Sequence, residues 1–146
     1  MGGQSIGILV LTAFFTLSVG SVAGTYGGGN GTETNPYQIR TPEQMNAIGA
    51  NSADWDKHFK LMADIDMSAY TGTQYNIIGN QTTPFSGSFD GNQYVIHNLA
   101  YVTSEAVDYV GVFGNLSGGI IKNLGLENVL LSSGGRYVGG LAGLNQ

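Results

Sequence analysis

The chain has 146 residues, 24 of them Gly, with 42% apolar, only 10% charged and a formal net charge of -5. That length suits one domain with a sizeable core, and the apolar share excludes a disordered chain. The five Lys and Arg, nowhere clustered, exclude a nucleic-acid binder, and the lack of Cys removes disulfides and thiolate chemistry together.

Residues 1–23 carry no charged side chain, and the apolar run from Ile6 to Val19 is followed by the small residues Gly20, Ser21, Ala23 and Gly24. This is the pattern of a secretory signal peptide, with Ser21 and Ala23 at positions minus three and minus one of a cut before Gly24. Its n-region, MGGQS, has no Lys or Arg. The run falls short of the roughly 20 residues a spanning helix needs. The expectation is therefore a secreted or cell-surface protein with no membrane span after cleavage near Ala23 and Gly24. Residues 24–35 (GTYGGGNGTETN) show no apolar period and read as a flexible linker without phosphate-loop spacing.

Pro36 to Ile39 reads as a short first strand. Thr41-Pro42-Glu43-Gln44 then opens a helix: Thr41 accepts from the amide three residues on, Pro42 loses no needed N–H, and Gln44 completes a capping box. Met45 and Ile48, three apart, face inward, so this short helix covers one end of the strands that come after it. Phe59, Leu61, Ala63 and Ile65 alternate with the period of a strand. Brief apolar clusters separated by Gly, Asn, Asp and Ser continue to the end, and the body reads as all-β.

Internal repeats are the strongest signal. Tyr109-Val110-Gly111-Val112-Phe113-Gly114 returns as Tyr137-Val138-Gly139-Gly140-Leu141-Ala142, an offset of 137 − 109 = 28. Ile96-His97-Asn98-Leu99 matches Ile121-Lys122-Asn123-Leu124 at 121 − 96 = 25, and Phe89 matches Phe113 at 113 − 89 = 24. Returns of 24 to 28 residues are the length of one turn of a β-solenoid.

Tyr137-Val138-Gly139-Gly140-Leu141-Ala142-Gly143-Leu144-Asn145 resembles the opening of a GLUG motif, and Asp108 to Gly114 resembles the degenerate coil that often precedes it. Asn35 to Ile39, Trp55 to Met67 and Phe85 to Asn92 are similar to the N-terminal cap and first coils of secreted bacterial GLUG-repeat proteins. This resemblance covers most of residues 35–146. It implies a right-handed parallel β-helix with a short N-terminal capping helix and about three coils over residues 36–146, on a large, exported, adhesin-like protein. Members usually continue past the equivalent of Asn145-Gln146, so the chain reads as truncated, with strand edges left bare and self-association expected.

Candidate chemistry is sparse. Asp64 and Asp66 are two apart, so on a strand both carboxylates leave one face, where they are weak candidates to coordinate calcium; the competing reading has them bonding local amides at a corner. With Asp90 and Asp108 they are also the carboxylates open to a lyase or hydrolase of the pectate-lyase-like type. Asp90-Gly91-Asn92, however, reads first as a tight turn. His58 and His97 lack a zinc-binding pattern, and no Gly-x-Ser-x-Gly elbow occurs. Tyr109 and Tyr137 suit an aromatic ladder between coils better than a sugar platform, and Asn98 and Asn123 are expected to stack likewise. Asn30, Asn80 and Asn115 each begin an Asn-x-Ser/Thr triplet. The reading is a non-catalytic module for display, adhesion or glycan or protein binding, needing no cofactor; the alternative is a polysaccharide-active enzyme.

Overall fold

The computed structural model describes residues 25–146; the expected signal peptide lies outside the described residues. Within them the chain is mostly strand. β1 (Tyr37–Ile39) leads into the one α-helix, α1 (Pro42–Ala50), and a single 3-10 turn at Ser52–Asp54. Next come β2 (His58–Leu61), β3 (Ile65–Asp66), β4 (Ser88–Asp90), β5 (Val95–His97), β6 (Ala100–Val102) and β7 (Phe113–Leu116). The chain closes with β8 (Ile120–Lys122), β9 (Gly125–Glu127), β10 (Leu130–Ser132) and β11 (Ala142–Asn145). These short strands form four open sheets, ordered β1-β2-β4-β8, β3-β5-β9, β6-β10 and β7-β11, and every pairing is parallel.

The helix forms where its caps predict. Thr41, extended at φ -134°, accepts from the Gln44 N–H at 3.3 Å, and Pro42 fills the first turn. The reciprocal arm of the box lands one residue early: the Gln44 side chain accepts from Arg40 N–H at 2.8 Å rather than from Thr41. Met45 and Ile48 are fully buried, and the Trp55 indole donates to the Ile48 carbonyl at 2.8 Å, satisfying an orphan acceptor at the helix end.

Residues 25–35, expected as a flexible linker, are instead tied to the fold. Gly27 N–H donates to the Gln38 carbonyl and Gln38 N–H to that of Gly28, both at 2.8 Å, while His58 N–H reaches the Gly31 carbonyl at 3.0 Å. The Tyr26 ring packs on Tyr37 and Phe59. A search for apolar periodicity is blind to such a segment, because main-chain bonds and close approach hold it. The alternation from Phe59 to Ile65 also divides: β2 ends at Leu61, a bend carries Ala63, and Ile65 belongs to another sheet, yet Phe59, Leu61 and Ile65 all face the core.

Strand register revises the repeat. Ser88 pairs with His58 and Ile120 with Ser88, returns of 88 − 58 = 30 and 120 − 88 = 32. Ile96 pairs with Leu126 rather than with Ile121, and Ile121 instead pairs with Phe89. The offset of 25 matched two successive corners: Asn98 turns β5 into β6, whereas Asn123 turns β8 into β9. The true partner of Asn98 is Asn128, whose amide donates to the Asn98 oxygen at 2.7 Å; Asn123 donates to Asp90. Phe89 and Phe113 are packed neighbours, edge to face at 5.4 Å, rather than equivalents. With Phe59 and Phe85 they form an interior column with centroid spacings of 5.2 to 6.5 Å. The offset of 28 is matched by a parallel bridge between Val110 and Val138.

Candidate functional site

The repeat residues form a tight corner. Tyr109 and Tyr137 take left-handed backbone at φ 61° and 60°, uncommon for a bulky side chain, and their rings stack at 4.9 Å and 22°. Just beyond each Tyr, glycine is required: a Cβ on Gly114 would meet the carbonyls of Tyr109 and of Gly79 (2.5 Å), and one on Gly143 those of Tyr137 and of Gly114 (2.7 Å). Gly111 and Gly139 likewise sit against the carbonyls of Phe113 and Ala142, while Gly140 faces open space. Val110 and Phe113 are fully buried, whereas Val138 and Leu141 stay exposed and Asn145 pairs beside Leu116. An earlier member of this series was missed in the sequence. Ile78 bridges Phe113, so Ile77-Ile78-Gly79-Asn80 precedes Val112-Phe113-Gly114-Asn115, and the shared Gly-Asn pair was the signal available.

The candidate metal pair does not converge. Asp66 lies in β3 and Asp64 in the bend before it. Asp64 accepts from Val95 N–H at 2.9 Å; one Asp66 oxygen accepts from Ser68 N–H at 3.0 Å and Asn98 Nδ2 at 3.1 Å. These bonds, led by Asn98, hold the Asp66 carboxyl below the ordinary aspartate range. Asp66, Asn98 and Asn128 thus stack as a polar ladder along one corner. Among the described residues no group of three or more His, Cys, Asp or Glu is close enough to hold a metal ion. Asp108 is engaged as well, accepting from the Arg136 main chain and from its guanidinium at 3.1 Å.

A groove of about 510 Å³ runs across the outer face of the four-stranded sheet. Register places Gln38, Lys60, Asp90 and Lys122 side by side on its floor, with His58, Ser88 and Ile120 as a second row, and Glu33 to Pro36 form a wall. At about 4.8 Å per strand, Lys60 and Lys122 stand roughly 10 Å apart with Asp90 between them. Burial opposes ionisation of Asp90, but bonds from Asn123 and Asn92 with the charges of Lys122 and Lys60 outweigh it and lower its pKa. Lys122 Nζ lies 3.8 Å from Asp90, and Arg40 reaches over the rim to the Gln38 side chain at 2.7 Å. Lys60 has no ion pair among the described residues, in contrast to Lys57 on Asp56 at 2.9 Å. Three of the chain's five cations therefore gather at one face of an acidic molecule. His58 Nδ1 is 3.0 Å from Ser88 Oγ, but the N–H groups of Gly87 and Ser88 donate to Trp55 and Lys57 carbonyls, leaving neither free for an oxyanion.

Among curated proteins, the chain is 38% identical over 125 residues, 79% of its length, to halomucin of Haloquadratum walsbyi. It is 32% identical over 145 residues, 94% of its length, to a protein of Evansella cellulosilytica described as a Gly-rich membrane protein. The matches span 1% and 16% of those relatives' own lengths. No family model matches the chain, and no solved structure matches it significantly. No helix among the described residues is long and apolar enough to cross a membrane.

Proposed function

We propose that this chain is a non-catalytic module of a secreted or cell-surface protein, a right-handed parallel β-helix of the GLUG-repeat kind that binds a glycan or protein ligand in the groove over its four-stranded sheet. The observation that carries this reading is the register: strands of all four sheets return in parallel about every 30 residues, leaving a flat outer face on which Lys60, Asp90 and Lys122 line up. The names of both relatives, a mucin and a membrane protein, support a place at the cell surface. A polysaccharide-cleaving role needs free carboxylates, whereas Asp64, Asp66, Asp90 and Asp108 are each committed to local bonds.

The groove presents ammonium groups, amides and a hydroxyl over a small apolar area, chemistry suited to sugar hydroxyls and carboxylates. Binding to a panel of immobilised neutral and acidic glycans tests it. A Lys60→Glu/Lys122→Glu double variant is expected to lose at least tenfold in affinity, while Lys57→Glu, outside the groove, leaves it unchanged. Equal binding by all three proteins would remove the groove from the function. Release of reducing ends from any glycan on the panel would replace binding with catalysis.

A further inference from the structure

Three Asn-x-Ser/Thr triplets occur in the chain, and the fold treats them differently. Asn30 is exposed, and its Oδ1 accepts from Thr32 N–H at 3.3 Å and Thr32 Oγ1 at 2.8 Å. Asn80 is exposed in the same geometry, its Oδ1 accepting from Thr82 N–H at 3.0 Å, Thr82 Oγ1 at 2.8 Å and Thr83 N–H at 2.9 Å. In both, the oxygen is fully engaged by the loop, and Nδ2 donates no hydrogen bond among the described residues. Asn115 is the opposite case. It is 4% exposed, lies within β7 between Ile78 and β11, and spends its Nδ2 on the Asn80 carbonyl at 3.2 Å.

We propose that Asn30 and Asn80 are N-glycosylation sites and that Asn115 is not. The chemistry needs an accessible carboxamide nitrogen and the hydroxyl two residues on. The donor is an oligosaccharide joined at its anomeric carbon to a lipid-borne phosphate. A bond forms from Asn Nδ2 to that carbon as the carbon–oxygen bond to phosphate breaks. The phosphate leaves with the bonding pair, and Nδ2 gives up one proton; nothing is oxidised or reduced. The proposal rests on the export reading, since donor and transferase work on translocated chains. Asn30 N–H is bonded to the Asn35 carbonyl, so a glycan there would rise from the loop that walls the groove.

The test supplies the export step separately. The full chain, with residues 1–23 replaced by a secretion leader known to function in an N-glycosylating eukaryotic host, is collected from the medium and mapped by glycopeptide mass spectrometry. The expected result is glycan at Asn30 and Asn80 and none at Asn115. Asn30→Gln and Asn80→Gln should each remove one addition, and Thr32→Ala or Thr82→Ala should do the same while keeping the Asn. Unmodified Asn30 and Asn80 in the secreted protein, or occupancy of Asn115, would overturn the assignment. Since the leader is borrowed, a failed site cannot be confused with a failure of the chain's own signal.

Discussion

Asn98 sits at a left-handed corner with φ 58°, donates to Asp66 and accepts from Asn128, so one side chain serves both backbone and ladder. Asn98→Ala should cost about 2 to 3 kcal/mol in urea unfolding, from the left-handed penalty of roughly 1 to 2 kcal/mol and the net worth of about 1 kcal/mol per hydrogen bond. Asn98→Gly, which keeps the backbone freedom, should cost about half as much. The ladder also fixes an acid response. Asp66, Asp90 and Asp108 all titrate below their ordinary 3.8 when folded. Unfolded, they take up protons near that value, so the stability they add is complete above it and is lost as pH falls through the lower folded values. The unfolding midpoint should stay flat from neutrality to about pH 5 and drop below about pH 4, with a shallower drop in Asp90→Asn. Calcium or a chelator should leave the midpoint unchanged at neutral pH; a calcium-dependent rise that Asp64→Asn/Asp66→Asn abolishes would restore the metal reading. That Asn98 turns a corner was legible in the sequence. Its partner was not, because corners within one turn of the chain share the residue types of corners one turn apart.

Strands of two to four residues hold their places through what lies over and under them, which makes the glycine column Gly79, Gly114 and Gly143 as important as any apolar residue. Gly114→Ala should unfold the chain or cost more than about 3 kcal/mol, since backbone on two sides would have to move. Gly140→Ala, with open space around it, should be neutral within about 0.5 kcal/mol. Circular dichroism melts of the two side by side separate a packing role from mere glycine richness. At the helix, Thr41→Ala should cost about 1 kcal/mol for the lost cap. Helix α1 and strand β1 were legible because capping and alternation are local. The clasp of residues 25–35 on β1 was not, since glycines write their contacts in the main chain.

Over the whole molecule the interior Phe column ties one turn of the chain to the next, and Phe89→Ala should cost about 3 to 5 kcal/mol. The last turn, β8 to β11, has no strand over its far side among the described residues, and Ile120 and Leu130 there are 60% exposed. The isolated 146-residue polypeptide is expected to associate reversibly at micromolar concentration in sedimentation velocity, and Ile120→Lys/Leu130→Lys to shift it toward monomer. All-β content and a repeating chain were legible from composition and the Tyr-Val-Gly motif; the return of about 30 residues was hidden by loops of unequal length. The register carries one more consequence. Apart from the Gly-rich clasp, each strand pairs with one that precedes it in the chain, and none waits for a distant later segment. A polypeptide emerging from a ribosome or a secretion pore can therefore fold vectorially, each new turn zipping onto a finished template. Every turn so locked would bar the chain from sliding back, and folding itself would then help to draw the protein out of the cell.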